Sequence, residues 1–485
     1  MSKAAVLDAS RPDFDAVIQD IADYVMNYDV TRSEEAMNTA RYCWMDSIGC
    51  ALYALNYPAC TKLLGPIVPG ASMPGGARVP GTSYELDPVR AAWNIGALVR
   101  WLDYNDTWLA AEWGHPSDNL GAILALADWQ SRRRVDRGEA PLTLRDVLIA
   151  MIQAHEIQGV IALENCFNRV GLDHVMLVRI ASTAVAARML GCSREEILNA
   201  VSHAWLDGSA LRTYRHAPNT GSRKSWAAGD ASARGLFLAF MAERGEMGYP
   251  SAITAPTWGF QDVSFKGKNL SFTQDYGTYV MENILFKISF PAEFHAQTAV
   301  EAAITLHRRM AEAGKTPDDI DSILIETQES GDRIINKTGP LDNPADRDHC
   351  LQYMVAVPLI KGSLEATDYE DAVAADPRID ALRDKMTVRE NERFTREYLE
   401  ADKRAIGNAI TLTFRDGSSL QESVDYPVGH RRRREEGIPL LIEKFERYLR
   451  GRIAPKNAER ILRICENHAE FENTPVDRMM DWLVV

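Results

Sequence analysis

The densest run of reactive side chains in this sequence is Trp101 to Asn119, WLDYNDTWLAAEWGHPSDN. Asp103, Asp106, Thr107, Glu112, His115, Ser117 and Asp118 fall within sixteen residues, among aromatic rings. Carboxylates and a histidine on a loop held between rigid helices suit proton transfer. The bland alternative is a helix–loop–helix in which Ser117 or Asp118 only caps the next helix. A second run, Gly208 to Gly229, carries Arg212, Arg215, His216, Arg223 and Lys224 with no Asp or Glu. Arginine forks and lysine ammonium groups match carboxylate or phosphate ligands; a solvated basic loop is the alternative. Pro218, Asn219 and Gly221 mark this run as a loop.

Three shorter segments add to these. Lys287 opens KISFPAEFH, which ends at His295 and lies where the helical pattern gives way to strands. Pockets favour such boundaries, although locally an exposed lysine on a strand reads as well. His174 follows Gly171 and Asp173 before an apolar helix, and alone it reads as a structural or surface group. Asp348-His349-Cys350 opens a further helix, whose N-terminus would attract an anion unless Asp348 is simply its cap. Arg431–Arg434 is followed by Glu435 and Glu436, so a solvated, self-paired stretch is expected.

Helices must position most of these groups. Apolar residues recur at helical spacing over 34–53, 87–102, 118–133, 144–163, 176–190 and 194–206. Thr31…Glu34, Thr143…Asp146 and Ser193…Glu196 have capping-box spacing. After about residue 275 the pattern changes. Ser322–Glu329 alternates like a half-buried strand, and Ala409–Phe414 and Leu420–Tyr426 flank the turn signal Asp416-Gly417. Helical patterns at 296–313 and 349–362 accompany these strands, and 438–450 and 456–469 turn helical again. The expected fold is mainly α with a second α+β domain built on an antiparallel sheet. The helical domain is 1–274, completed by 431–485, and the α+β domain is 275–430.

Composition narrows the function. The chain has 485 residues, 46% of them hydrophobic, with 54 basic and 68 acidic side chains for a net charge of −14. Nucleic acid and anionic membranes need a basic surface, so neither is an expected partner. No run approaches the roughly 18 apolar residues that span a bilayer, and MSKAAVLDASRPDF lacks the character of a secretory or mitochondrial leader. Seven cysteines without CxxC spacing suggest reduced thiols in a cytoplasmic protein rather than a disulfide frame or an iron–sulfur site. GxGxxG, Walker A, HExxH and GxSxG motifs are all missing.

Read together and in order, WLDYNDTW, GHPSDN, GLDH, RTYRHAPNTGSRKSWAAGD and LFKISFPAEFH resemble the MmgE/PrpD family, from about residue 10 to the C-terminus. The resemblance implies a hydro-lyase of propionate breakdown. It would take water from 2-methylcitrate to give 2-methyl-cis-aconitate, with no metal, cofactor or iron–sulfur cluster. It also implies a large helical domain, a smaller α+β lid and a homodimer. Carried over by motif, Asp103, Thr107, His115, His174, Lys224 and Lys287 are the catalytic candidates. Arg212, Arg215, Asp106, His295 and His349 are candidates for binding the small tricarboxylate. Asp103 is expected to orient a histidine. Related cis-aconitate decarboxylases carry a histidine two residues after the proline corresponding to Pro291, where this chain has Glu293. Competing readings are a citrate dehydratase or decarboxylase of the same family, or a helical scaffold for a protein partner.

Overall fold

The computed structural model describes residues 9–208 and 210–485. The charged start read above for leader character lies largely outside that range. Six helices occur close to their expected spans: Glu34–Ala54, Pro88–Arg100, Leu120–Asp136, Leu144–Glu164, Val175–Leu190 and Arg194–Leu206. The capping boxes at Thr143/Asp146 and Ser193/Glu196 form. The third does not: Ser33 caps its helix by accepting from the Ala36 N–H at 3.1 Å, while Thr31 sits in a preceding 3-10 turn.

The basic run is only half a loop. Its second half, from Arg223, is the first turns of a long helix, Arg223–Glu243. Glycine is a poor helix former, but here it allows close packing. A Cβ on Gly229 would lie 2.4 Å from the Trp93 carbonyl oxygen, and one on Gly96 would lie 2.7 Å from the Gly229 Cα. The helices Pro88–Arg100 and Arg223–Glu243 therefore touch backbone to backbone, which brings the Arg100 end of one near the Lys224 end of the other.

Two large hydrophobic cores follow, with a small third cluster of Val175, Val178, Ala227 and Ala231. The first draws on residues from Ile18 to Ile288 and again from Val428 to Leu483, with helix Arg434–Arg452 packed on Glu34–Ala54. The second surrounds a four-stranded sheet in the order Met386–Glu390, Ile320–Thr327, Asn408–Phe414, Ser419–Val424. Its first pair is parallel and the other two antiparallel, so the sheet is mixed rather than antiparallel throughout. The parallel strand is missing from the sequence reading because Met386–Glu390 is short and its alternation weak, with Met386 and Val388 half-buried and the other three residues exposed. Helix Gln297–Glu312 covers the hairpin, and Leu351–Lys361 packs on that helix.

By length and composition alone, helix Leu144–Glu164 is long and apolar enough to cross a membrane. Its most apolar window is 89% buried within the fold, and it turns His155, Glu156 and Gln158 inward. The Arg431–Arg434 run departs from expectation. Arg431 reaches Glu35, Arg433 joins Glu301 as well as Glu436, and half-buried Arg434 donates to the Ile284 carbonyl. These arginines tie the returning chain to both cores.

Candidate active site

The 101–119 segment is anchored in both cores. Trp108 packs in the first, and Leu109 and Trp113 pack in the second, through a short hairpin of Trp108–Leu109 with Trp113–Gly114. Thr107 and Leu285 exchange backbone hydrogen bonds of 2.7 and 3.0 Å, which fixes the chain leading to Lys287. Gly114 permits the next contact: a Cβ there would lie 2.7 Å from the Gln158 amide nitrogen and 3.4 Å from the His174 ring. The His115 and His174 ring centroids are 5.8 Å apart.

Asp103 is the hub. It closes the turn after helix Pro88–Arg100 with φ of 49°, a left-handed conformation that aspartate tolerates better than most residues. Its Oδ1 accepts from Arg100 and, at 2.5 Å, from Lys287 Nζ, which also donates to the Asp103 carbonyl at 2.8 Å. His115 Nε2 is 3.6 Å away and His349 Nε2 3.8 Å. Lys224 Nζ meets Asp348 at 2.7 Å and lies 3.4 Å from His349 Nδ1. Burial opposes ionisation of Asp103, but Arg100 and Lys287 outweigh it and hold the carboxyl well below its usual range. Burial lowers both lysines, with Asp348 and Asp103 opposing it at Lys224 and Asp103 at Lys287.

Asp103 does not set the tautomer of a histidine. His115 Nδ1 donates to the Asp106 carbonyl at 2.7 Å, with Thr107 Oγ1 at 3.2 Å, so its Nε2 accepts from Arg100 Nη2 at 2.8 Å. Burial, reinforced by Arg100, pushes His115 well below the usual histidine range. Burial does the same to His174, only partly opposed by Asp173. Both rings are therefore neutral near pH 7. They differ in availability, because neither nitrogen of buried His174 has a hydrogen-bond partner among the described residues.

The remaining candidates divide. Arg212 Nη1 is buried without a hydrogen-bond partner among the described residues, 3.5 Å from Asp173. Arg215 is fully engaged: Nε and Nη2 grip Asp173 and Nη1 donates to the Lys224 carbonyl at 3.1 Å, so it positions Lys224. The Asp106 carboxylate is likewise taken, by Ser117 and by His155 Nε2 at 2.8 Å. His295 pairs with Glu293 at 2.8 Å and approaches Tyr398, outside the Asp103 cluster. Glu293 is held down at about 2, because His295 and neighbouring cations outweigh burial. Asp348 does not cap its helix; Cys350 occupies the cap position, and Asp348 holds Lys224 and His349.

Arg100 and Asp173 escaped the sequence reading as members of the site. Arg100 looks like an ordinary basic residue in a last helical turn, and Asp173 is visible only as the neighbour of His174. Lys444 gave no signal either. It is buried, pairs with Asp46 at 2.7 Å, and donates to the carbonyls of Tyr104 (2.9 Å) and Lys287 (2.8 Å), the backbone beside Asp103 and Lys287. Removing one partner of a buried pair costs about 3–5 kcal/mol. Burial already raises Asp46 to about 6, so it can take up a proton and soften the loss. Urea unfolding of Lys444→Met at pH 7 is expected to show a loss near the lower end of that range.

Two groups bring metal-ligating atoms within 4.8 Å of one another: Cys43 with Asp106 and His155, and Asp103 with Asp348 and His349. Neither donor set suits a resident cation. Burial and Asp106 raise the Cys43 thiol well above its usual range, which disfavours the thiolate. The second group already faces Lys224, Lys287 and Arg100. A cavity of about 460 Å3 beside Tyr104, Phe290 and Arg447 is lined by none of these ionised cluster groups.

Residues 19–273 match the MmgE/PrpD N-terminal domain, and residues 290–470 the MmgE/PrpD C-terminal domain. The chain belongs to the MmgE/PrpD family. Within it, the chain is 64% identical over 476 residues to the 2-methylcitrate dehydratase of Salmonella typhimurium, covering 98% of both chains. It is 63% identical over 483 residues to the 2-methylcitrate dehydratase of Escherichia coli, covering 99% of this chain and all of that one. The mitochondrial 2-methylcitrate dehydratase of Yarrowia lipolytica is 58% identical, covering 98% of this chain and 92% of its own.

Proposed function

We propose that this chain is a hydro-lyase that dehydrates 2-methylcitrate to 2-methyl-cis-aconitate in the methylcitrate cycle of propionate catabolism. The observation that carries this reading, beside the relatives, is the buried charge. Arg100, Arg212, Arg215, Lys224 and Lys287 converge on Asp103, Asp173 and Asp348, whose carboxyls are all held below their usual range. With Glu293, paired with His295, five cations face four carboxylates, and Asp118 beside Arg100 is raised by burial to about 7 and so is partly protonated. A tricarboxylate supplies the missing negative charge.

Elimination takes a proton from C2 and expels the C3 hydroxyl. His174 serves as the base, since its ring is neutral and neither nitrogen is engaged. The C2–H electron pair becomes the C2=C3 bond as the C3–O bond breaks. Lys224, a stronger acid than a free lysine, gives the departing oxygen its proton, and water leaves. Lys287 and Arg212 stabilise the negative charge that grows on the carboxylate next to C2. His174 then releases its proton and Lys224 regains one.

Access to so buried a cluster requires opening, and we assign 275–430 as a lid on a body of 1–274 with 431–485. The two large hydrophobic clusters support a division of this kind but move its seam, because Val280, Met281, Ile284, Phe286, Ile288 and Val428 pack with the body. The reading extends to a cytoplasmic homodimer that binds neither nucleic acid nor membranes; light scattering of the purified chain checks the dimer.

Supplying 2-methylcitrate, citrate and cis-aconitate separately and weighing the products tests the reaction. Loss of one water, fastest from 2-methylcitrate, is expected; carbon dioxide from cis-aconitate would mark a decarboxylase. The pH profile tests the base. A histidine held below its ordinary pKa stays unprotonated as pH falls, so kcat/KM should be level from about pH 8 down to about 6.5, the ordinary histidine value. It should decline only below that. An acid limb, with activity rising as pH increases, centred above pH 7 would contradict a neutral buried base.

A further inference from the structure

We infer that Arg100 is a receptor for one substrate carboxylate, and that binding there lifts the guanidinium from His115 Nε2. This inference rests on the tricarboxylate reading above, and it gives a role to a side chain that the sequence motifs leave unassigned.

Arg100 is 2% exposed, at the end of helix Pro88–Arg100. Only one of its three nitrogens, Nη1, donates to a carboxylate, and that carboxylate, Asp103, also serves Lys287. The other edge of the fork, Nε and Nη2, holds no anion. Among the described residues Nε has no hydrogen-bond partner, and the oxygen it pairs with, Asp118 Oδ2, is 3.9 Å away and equally unpartnered. Nη2 donates at 2.8 Å to His115 Nε2, an uncharged acceptor.

That edge is the side on which arginine grips a carboxylate through two parallel hydrogen bonds. Bonds to an ionised acceptor are roughly twice as strong as those between neutral groups. A substrate carboxylate therefore displaces the imidazole as Nη2 partner and satisfies Nε as well. Asp118 competes poorly, because burial raises its carboxyl to about 7 and leaves it partly protonated. Once uncovered, His115 Nε2 carries a free lone pair inside the site, while Nδ1 remains fixed by the Asp106 carbonyl. Resting enzyme thus keeps this lone pair capped until an anion arrives.

The test compares wild type, Arg100→Gln and Arg100→Lys in two measurements. One is binding of tricarballylate, a tricarboxylate without a hydroxyl to eliminate, by calorimetry. The other is kinetics on 2-methylcitrate across pH. Arg100→Gln should weaken tricarballylate binding and raise KM by about 10–100-fold, as for loss of a hydrogen-bonded charged contact. Arg100→Lys, which keeps the charge without the fork, should recover part of this. The acid limb of kcat/KM should move to higher pH in Arg100→Gln, since Arg100 adds to burial in lowering the pKa of the base His174. A purely structural role predicts fewer active molecules with KM, tricarballylate affinity and pH limb unchanged. That result, in either variant, overturns the assignment. A wild type that binds tricarballylate but does not turn over 2-methylcitrate would overturn the proposed reaction instead. The Arg100 assignment would then stand or fall on the binding data alone.

Discussion

The variant His174→Gln is expected to lower kcat on 2-methylcitrate by about 10²–10⁴-fold, the usual contribution of a general base, with KM little changed. Stability should change little for a buried position, because neither ring nitrogen makes a hydrogen bond that the substitution could break. Large catalytic loss with near-normal unfolding separates a proton-transfer role from a packing role. The comparison with His115 sharpens it. His115 is bonded at both nitrogens, to the Asp106 carbonyl and to Arg100, so replacing it disturbs the cluster as well as the chemistry. A His174→Gln enzyme with near-normal kcat would remove His174 as the base.

The second large effect is at Asp103. Asp103→Asn keeps a residue type that tolerates φ of 49° and so isolates the charge. It leaves Arg100 and Lys287 buried with no shared counter-ion. Removing one side of such a pair costs about 3–5 kcal/mol, and displacement of the lysine by an ångström can cost on the order of 10²-fold in rate. Both losses are expected together. The sign of the pH dependence follows from the lowered carboxyl. Its stabilisation is complete above about 3.9, the ordinary aspartate value, and is lost only as pH falls through the lower folded-state pKa. The gap between wild type and Asp103→Asn in urea unfolding should therefore be equal at pH 5 and pH 8. A gap that closes at pH 5 would mean that Asp103 is not held ionised by its neighbours.

Much of the helical scaffold was legible because amphipathic spacing and capping chemistry are local. Thr143/Asp146 and Ser193/Glu196 do as their spacing implies. Helix Arg223–Glu243 was hidden by the glycine that makes it useful: Gly229 matters only against Gly96, more than a hundred residues away in sequence. The parallel strand Met386–Glu390 is short, and its alternation is weak because only Met386 and Val388 turn toward the second core and both are half-buried. At the site, the motif residues Asp103, Thr107, His115, His174, Lys224 and Lys287 lie on one contiguous set of loops and helix ends. What local sequence could not supply was the pairing among charges. Arg215 and Asp106, expected at the substrate, are bound to Asp173 and to Ser117 and His155. Arg100, Asp348 and Lys444 acquire their roles only through partners brought by folding.

Turnover of 2-methylcitrate by the purified chain, followed through alkene absorbance with product mass, is the most direct measurement. The account predicts a product lighter by one water, formed by wild type and lost in both His115→Ala and Lys224→Ala. No alkene from wild type, or near-normal turnover in both variants, would contradict it.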